Sequence, residues 1–278
     1  MEILLTGYTA FLTQEWIETA FPDDHVLTTH TKSEALLDTR VKTVTLDGKQ
    51  LLAQINETYQ FDRIVYFSEY LLPHGEQEGE LDRLRWVLQA CREREVQLLY
   101  FSGPVAALTP PSGKSLLANA AEELCFHYAK TSKIQVKVFR LPYLYAVSES
   151  GTEQFARLFE QMPTGTVQMD EQAAQPLLAL CMEELADLTA RVFDTWTPEP
   201  ERFLLPQVFE VGEVLQKLQP GLEVCYGADT LQTYPTDDRT VRRRYGWFQR
   251  YSLLDDLPAI YKLWQARQAE KKSVVHRA

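Results

Sequence analysis

The chain has 278 residues, 45% of them hydrophobic and 24% charged, enough for a sizeable buried core and incompatible with wholesale disorder, collagen-like repeats or low complexity. Lysine and arginine number 28 against 39 aspartates and glutamates, and the resulting net charge of −11 repels phosphate backbones, which argues against nucleic-acid binding. No apolar run approaches the roughly 18–20 residues of a membrane span, and the opening MEILLTGYTAF lacks a basic leader region and reads as a strand, not a signal peptide.

In chain order, Glu2–Thr6 is an apolar run that stops at Gly7, and Leu12–Phe21 has helical spacing. His25–His30 and Val41–Leu46 read as strands, and Gly48–Thr58 as a short helix. Arg63–Phe67 is β-branched and aromatic, and the charged amphipathic stretch Glu76–Glu95 follows. Val96–Ser102 is a strand, and Ser115–Thr131 places Leu116, Leu117, Ala121, Leu124 and Tyr128 at helical spacing. Ile134–Leu141 is strongly strand-like. Strands separated by helices of this length predict βαβ units with right-handed crossovers: an α/β fold with a doubly wound parallel sheet.

After Tyr145 the texture changes. Thr152–Gln161 and Pro176–Thr195 have helical patterns, Phe203–Leu205 reads as a short strand and Val211–Leu218 as a helix. An acidic loop and a last helix from Leu253 to about Glu270 complete the chain. We divide it into a core (1–148), a C-terminal α+β lobe interleaved with it (149–264) and a tail or linker (265–278). Cys91, Cys125, Cys181 and Cys225 are too far apart for a disulfide framework or a zinc site and read as reduced thiols of a cytoplasmic protein. The five histidines form no metal-binding spacing, so no metal is expected.

Several segments together resemble the extended short-chain dehydrogenase/reductase family, especially its NAD-dependent epimerase/dehydratase branch. Ile3–Thr13 resembles the first strand and phosphate-binding turn, and Leu98–Ser102 the fifth strand with its catalytic serine. Lys114–Leu124 resembles the active-site helix, Val138–Tyr145 the sixth strand and its substrate-side exit, and Glu184–Ala186 a small helical motif that follows. Asp238–Trp247 and Tyr251–Leu253 resemble the closing segment. The resemblance runs in order along nearly the whole chain and implies a Rossmann-like, NAD(P)-binding fold.

The residues at the implied site depart from the family. Of the three glycines of G-x-x-G-x-x-G, which give the tight turn, the approach of backbone to pyrophosphate and the close packing of helix on strand, only Gly7 is kept; Ala10 and Thr13 fill the other places. The second strand should end in a carboxylate for the ribose and offers His30 and Lys32 instead, either a solvated loop or a seat for the 2′-phosphate of NADP. Glu69 and Tyr70 follow the fourth strand where small residues are expected. The family's Tyr-x-x-x-Lys pair aligns with Lys114 and Ala118, so the tyrosine acid/base and its lysine are both missing, and Ser102 stands without them. Glu122 and Glu123 read as an exposed helix face. Arg244, in the basic run Arg242–Arg244, is either a solvated charge or a contact for a nucleotide-sugar diphosphate. Tyr143, Tyr145, Trp247 and Phe248 either stack on a base or sugar ring or pack the lobe.

These departures imply a catalytically degenerate epimerase/dehydratase-like module that senses a ligand or binds a protein, with the family's link to polysaccharide or cell-envelope synthesis. No cofactor is assigned, although NAD or NADP remains open. The resemblance also implies a homodimer through the helices at Glu76–Glu95 and Ser115–Thr131. The alternatives are an active NAD(P)-dependent nucleotide-sugar enzyme with another proton carrier, such as Lys114 or Tyr143, and an NADP-binding redox sensor.

Overall fold

The computed structural model describes residues 1–7, 9, 12–29, 40–43, 61–71, 79–107, 113–132, 134–147, 149–169, 177–204, 208–209, 211–226 and 238–275. The helix expected over Gly48–Thr58 lies outside them, as do Ala10, His30 and Lys32.

A strand with helices on both sides must be apolar on both faces. β1 (Glu2–Gly7) is such a strand, with Ile3, Leu4 and Leu5 fully buried. Its neighbours are β2 (His25–Thr28), β3 (Val41–Thr43), β4 (Arg63–Phe67), β5 (Gln97–Ser102) and β6 (Gln135–Arg140). A seventh strand, β10 (Glu201–Leu204), returns from the far end of the chain. The order is β10-β6-β5-β4-β1-β2-β3 and every pairing is parallel. The order reverses between β4 and β1, and in open α/β sheets the ligand crevice lies beyond the strand ends at such a switch point.

One face of the sheet is covered by α1 (Gln14–Ala20) and α5 (Met182–Asp194), through Trp16, Ile17, Leu185, Leu188 and Val192. The other face packs on α2 (Glu80–Arg94) and α3 (Gly113–Ser132), through Leu84, Leu88, Ala118, Ala121 and Cys125. Near the C-terminal ends of the strands, Phe67, Phe101, Phe139 and Phe203 stand in register on four adjacent strands, with Gly7 next in the row. Their ring centroids are 5.1, 6.1 and 4.7 Å apart from one phenylalanine to the next. On the opposite face Tyr66 and Tyr100 stack at 5.6 Å.

The lobe has its own core of Tyr145, Phe155, Phe159, Met162, Leu215 and Leu257. It is built from β7 (Tyr143–Tyr145), α4 (Glu149–Gln161), β8 (Thr166–Met169), β9 (Leu177–Cys181), β11 (Val208–Phe209), α6 (Val211–Leu218), β12 (Glu223–Tyr226) and α8 (Leu253–Val275). Between β12 and α8, α7 (Asp238–Tyr245) packs Tyr245 against Phe139 and Phe203 of the main sheet. Two expectations are corrected. Pro176–Thr195 is not one helix: Leu177–Cys181 is an apolar strand paired with β7 and β11, and the helix begins at Met182, where Glu183 and Glu184 favour its N-terminus. The acidic stretch after α6 contains β12, which is held by parallel pairing with β8.

Candidate functional site

The site implied by the topology lies where β1, β4 and β5 end. Gly7 has φ = +85°, and a Cβ built on it would overlap the carbonyl oxygen of Phe67. The turn therefore requires glycine for the closeness of β4 alone. Thr13 is not wedged between helix and strand as its bulk suggested. It is the N-cap of α1, exposed, and its Oγ1 accepts the Trp16 N–H at 3.1 Å. Leu12, Trp16 and Ile17 do the packing, and Trp16 meets the Phe67 ring edge-on at 5.8 Å.

At the end of β2, Thr28 is buried, and beyond it the Thr29 hydroxyl donates to Thr6 Oγ1 at 3.1 Å. Beyond β4, Glu69 turns back to Arg83 of α2 with an N···O separation of 2.6 Å. Phe67 is fully buried beneath α1, so its ring fills the sheet face.

Ser102 ends β5 with no exposure, and its Oγ has no hydrogen-bond partner among the described residues. Lys114 and Ala118 share one face of α3, at i and i+4. Lys114 is half-buried, whereas Ala118 has no exposure and packs in the cluster containing Leu88 and Val105. A lysine at 118 would thus lose its place to the core.

The residues read as a substrate cleft lie on two elements, β7 and α7. Tyr143 opens β7 opposite Ala179. Tyr145 is 1% exposed, and its hydroxyl donates to Asp256 Oδ2 at 2.7 Å, leaving no ring face for a ligand. Burial first, and then the Asp256 acceptor, push its pKa well above the ordinary tyrosine value. Arg244 points to Glu201 and Thr197 at the start of β10, away from the C-terminal strand ends. Trp247 is buried, and Phe248 is exposed.

Three buried polar groups were missed from the sequence. Glu122 is not on an exposed face. It is fully buried, accepts Arg140 Nε at 2.9 Å and Nη2 at 2.7 Å, and takes Arg202 Nε at 2.9 Å. Only Glu123 is exposed, paired with Arg202 at 2.6 Å. Glu80, also fully buried, accepts the Tyr66 hydroxyl at 2.9 Å, and desolvation raises its pKa. Lys137 lies inside, held by Glu201, by Thr197 Oγ1 at 3.0 Å and by the Glu199 carbonyl at 2.6 Å; desolvation lowers its pKa. The available signals were tyrosines in register on two core strands and charged residues inside otherwise apolar runs.

No protein-family model and no curated protein sequence matches the chain. Solved structures do. UDP-N-acetylglucosamine 4-epimerase from Bacillus cereus is 16% identical, with a TM-score of 0.69 over 95% of this chain and 99% of the epimerase. UDP-glucuronic acid 4-epimerase from Bacillus cereus, in complex with UDP-glucuronic acid and NAD, is 15% identical, with a TM-score of 0.71 over 96% of this chain and 99% of the other. A monomeric L-threonine 3-dehydrogenase from a metagenome is 15% identical, with a TM-score of 0.70 over 96% and 99%. The shared property is the fold: this chain has the Rossmann-like architecture of these proteins.

That fold implies a dinucleotide, and the described residues do not fit one in the usual manner. The helix-start amide of Trp16 is taken by Thr13, the Thr29 hydroxyl is turned to Thr6, and no carboxylate occurs from Thr28 to Lys32. Among the described residues what remains is the Gly7 turn, which the proximity of β4 already accounts for.

Proposed function

We propose that this chain is a catalytically degenerate epimerase/dehydratase-type domain that works as a ligand-sensing or protein-interaction module. The observation that carries this reading is the burial of Ala118 at the aligned lysine position, together with the full burial of Ser102. Acid/base chemistry on a sugar hydroxyl needs a proton carrier within hydrogen-bond reach of substrate, and neither group can supply one. Several neighbours are UDP-sugar epimerases, which supports a nucleotide-sugar as the ligand to test first and a link to polysaccharide or cell-envelope synthesis. We assign the module to the cytoplasm, as a homodimer through α2 and α3, with a core (1–148), a lobe interleaved with it (149–264) and a tail or linker (265–278). A monomeric mass by light scattering at micromolar concentration would reject the dimer.

The alternative, an active NAD(P)-dependent nucleotide-sugar enzyme, is favoured by Lys114, a half-buried titratable group at the aligned tyrosine position. Calorimetric titration with NAD, NADH, NADP and NADPH, paired with turnover assays on UDP-sugars, separates the two. The module reading expects no turnover of any UDP-sugar. Dinucleotide binding tighter than about 100 μM together with turnover would replace it by the enzyme. Dinucleotide binding without turnover would make the chain a redox sensor.

A further inference from the structure

On an acidic protein, one surface is basic. α7 and the loop after it, residues 238–251, carry five arginines and a single aspartate. Val241 and Tyr245, four residues apart, turn inward and are buried, which leaves Arg239, Arg242 and Arg243 on the outer face, all exposed. Arg244 is drawn to Glu201, and Arg250 pairs with Asp187 at 2.9 Å. Among the described residues no carboxylate pairs with Arg242 or Arg243. Arg242 instead lies 5.8 Å over the ring of Phe248, which is 56% exposed, and Tyr251, also exposed, follows in the same loop.

The loop is fixed from beneath. Trp247 is buried, and the Glu184 carboxylate accepts the backbone N–H groups of Arg250 and Tyr251. A surface already held in one shape loses little freedom on binding. Arginine beside exposed aromatic rings is also the composition of energetic centres in protein interfaces. On a chain of net charge −11 this is a place where an acidic partner is attracted and not repelled. The outer face of a helix is convex, whereas small anions are held by converging donors in concave sites.

We infer that the outer face of α7, with Phe248 and Tyr251, docks an acidic segment of a partner protein. The segment's carboxylates lie on Arg242 and Arg243, and an apolar side chain lies against Phe248. This inference rests on the interaction-module reading and supplies its surface and the chemistry of its partner.

The test uses the full chain and a fluorescein-labelled peptide of about a dozen residues alternating glutamate with leucine and phenylalanine, at about 50 mM salt, where charge steering is weakly screened. Saturable binding is expected, weakened about tenfold or more in the Arg242→Glu/Arg243→Glu variant and several-fold in Phe248→Ala, as for interface hot spots. Arg242→Lys/Arg243→Lys should recover part of the loss, because the charge is kept. These side chains are exposed, and an unchanged melting temperature verifies the fold of each variant. No saturable binding, or equal binding by the charge-reversed variant, overturns the surface. Displacement of the peptide by UDP or pyrophosphate at similar concentration would overturn it in favour of a small-anion site. UDP-sugar turnover by the same preparation would sink the non-catalytic reading and leave the peptide result standing.

Discussion

The hydroxyl of Tyr145 donates to Asp256, 111 residues later in the chain, at 2.7 Å. The bond ties β7, which leads out of the core, to the first turn and a half of α8. Tyr145→Phe keeps the buried ring and removes the donor. The variant should lose about 1 kcal/mol, the ordinary net value of such a bond. It should also leave binding of any UDP-sugar unchanged, because the ring faces the lobe core. Urea denaturation and calorimetry check the two halves.

Gly7→Ala should be far more damaging than its size suggests. The residue sits at φ = +85°, and the new methyl would meet the Phe67 carbonyl oxygen, which is fixed in a central strand. A loss of at least about 2 kcal/mol is expected in the absence of any cofactor. A mild effect on thermal unfolding would mean that the glycine is there for a ligand and not for the sheet.

Glu80 sets a pH dependence. Burial raises its pKa despite the Tyr66 hydroxyl and Arg83 nearby. The folded chain therefore holds a proton that the unfolded chain has released, over the interval between the unfolded pKa and the raised folded one. Stability falls as pH rises through that interval and is highest below it. Glu80→Gln can still accept from Tyr66 and has no proton to lose. Its melting temperature should vary less with pH than that of the wild type as pH rises above the ordinary glutamate range. Parallel curves for the two proteins would disprove the assignment.

Lys137 and Glu201 should respond asymmetrically. Glu201→Ala leaves a buried cation with only Thr197 and the Glu199 carbonyl, and about 1–3 kcal/mol should be lost. Lys137→Met removes the charge and fits the same channel beside Trp196, so it should lie within about 1 kcal/mol of the wild type. Chemical denaturation of both variants decides; equal losses would contradict the desolvation argument.

The parallel sheet was legible because its strands are short apolar runs bounded by polar turns, and Arg63–Phe67 and Val211–Leu218 have the bounds expected of them. Leu177–Cys181 was not, because a five-residue apolar strand running directly into an amphipathic helix has no break between them. β8 and β12 were missed since each is stable only through its partner. At the site, the missing Tyr-x-x-x-Lys pair was visible in the residues themselves. The burial of Ala118, Ser102 and Glu122 was not, because it depends on which face of α3 meets β6 and on the arrival of Arg202 from 80 residues away. Thr13 was misread for the opposite reason: its role as a helix cap is local, and the comparison with a glycine at that place concealed it.

The seventh strand has a consequence for how this molecule can be cut. β10 is synthesised after α5, yet it lies beside β6, stacks Phe203 on Phe139 and brings the Glu201 partner of Lys137. A fragment ending near residue 148 would expose the long edge of β6, with its ladder of unpaired amides, and a lysine stripped of its counterion. Such an edge recruits other strands. Because the two regions share a sheet, truncation at the apparent boundary should yield an aggregating fragment, which size-exclusion chromatography of residues 1–148 would check.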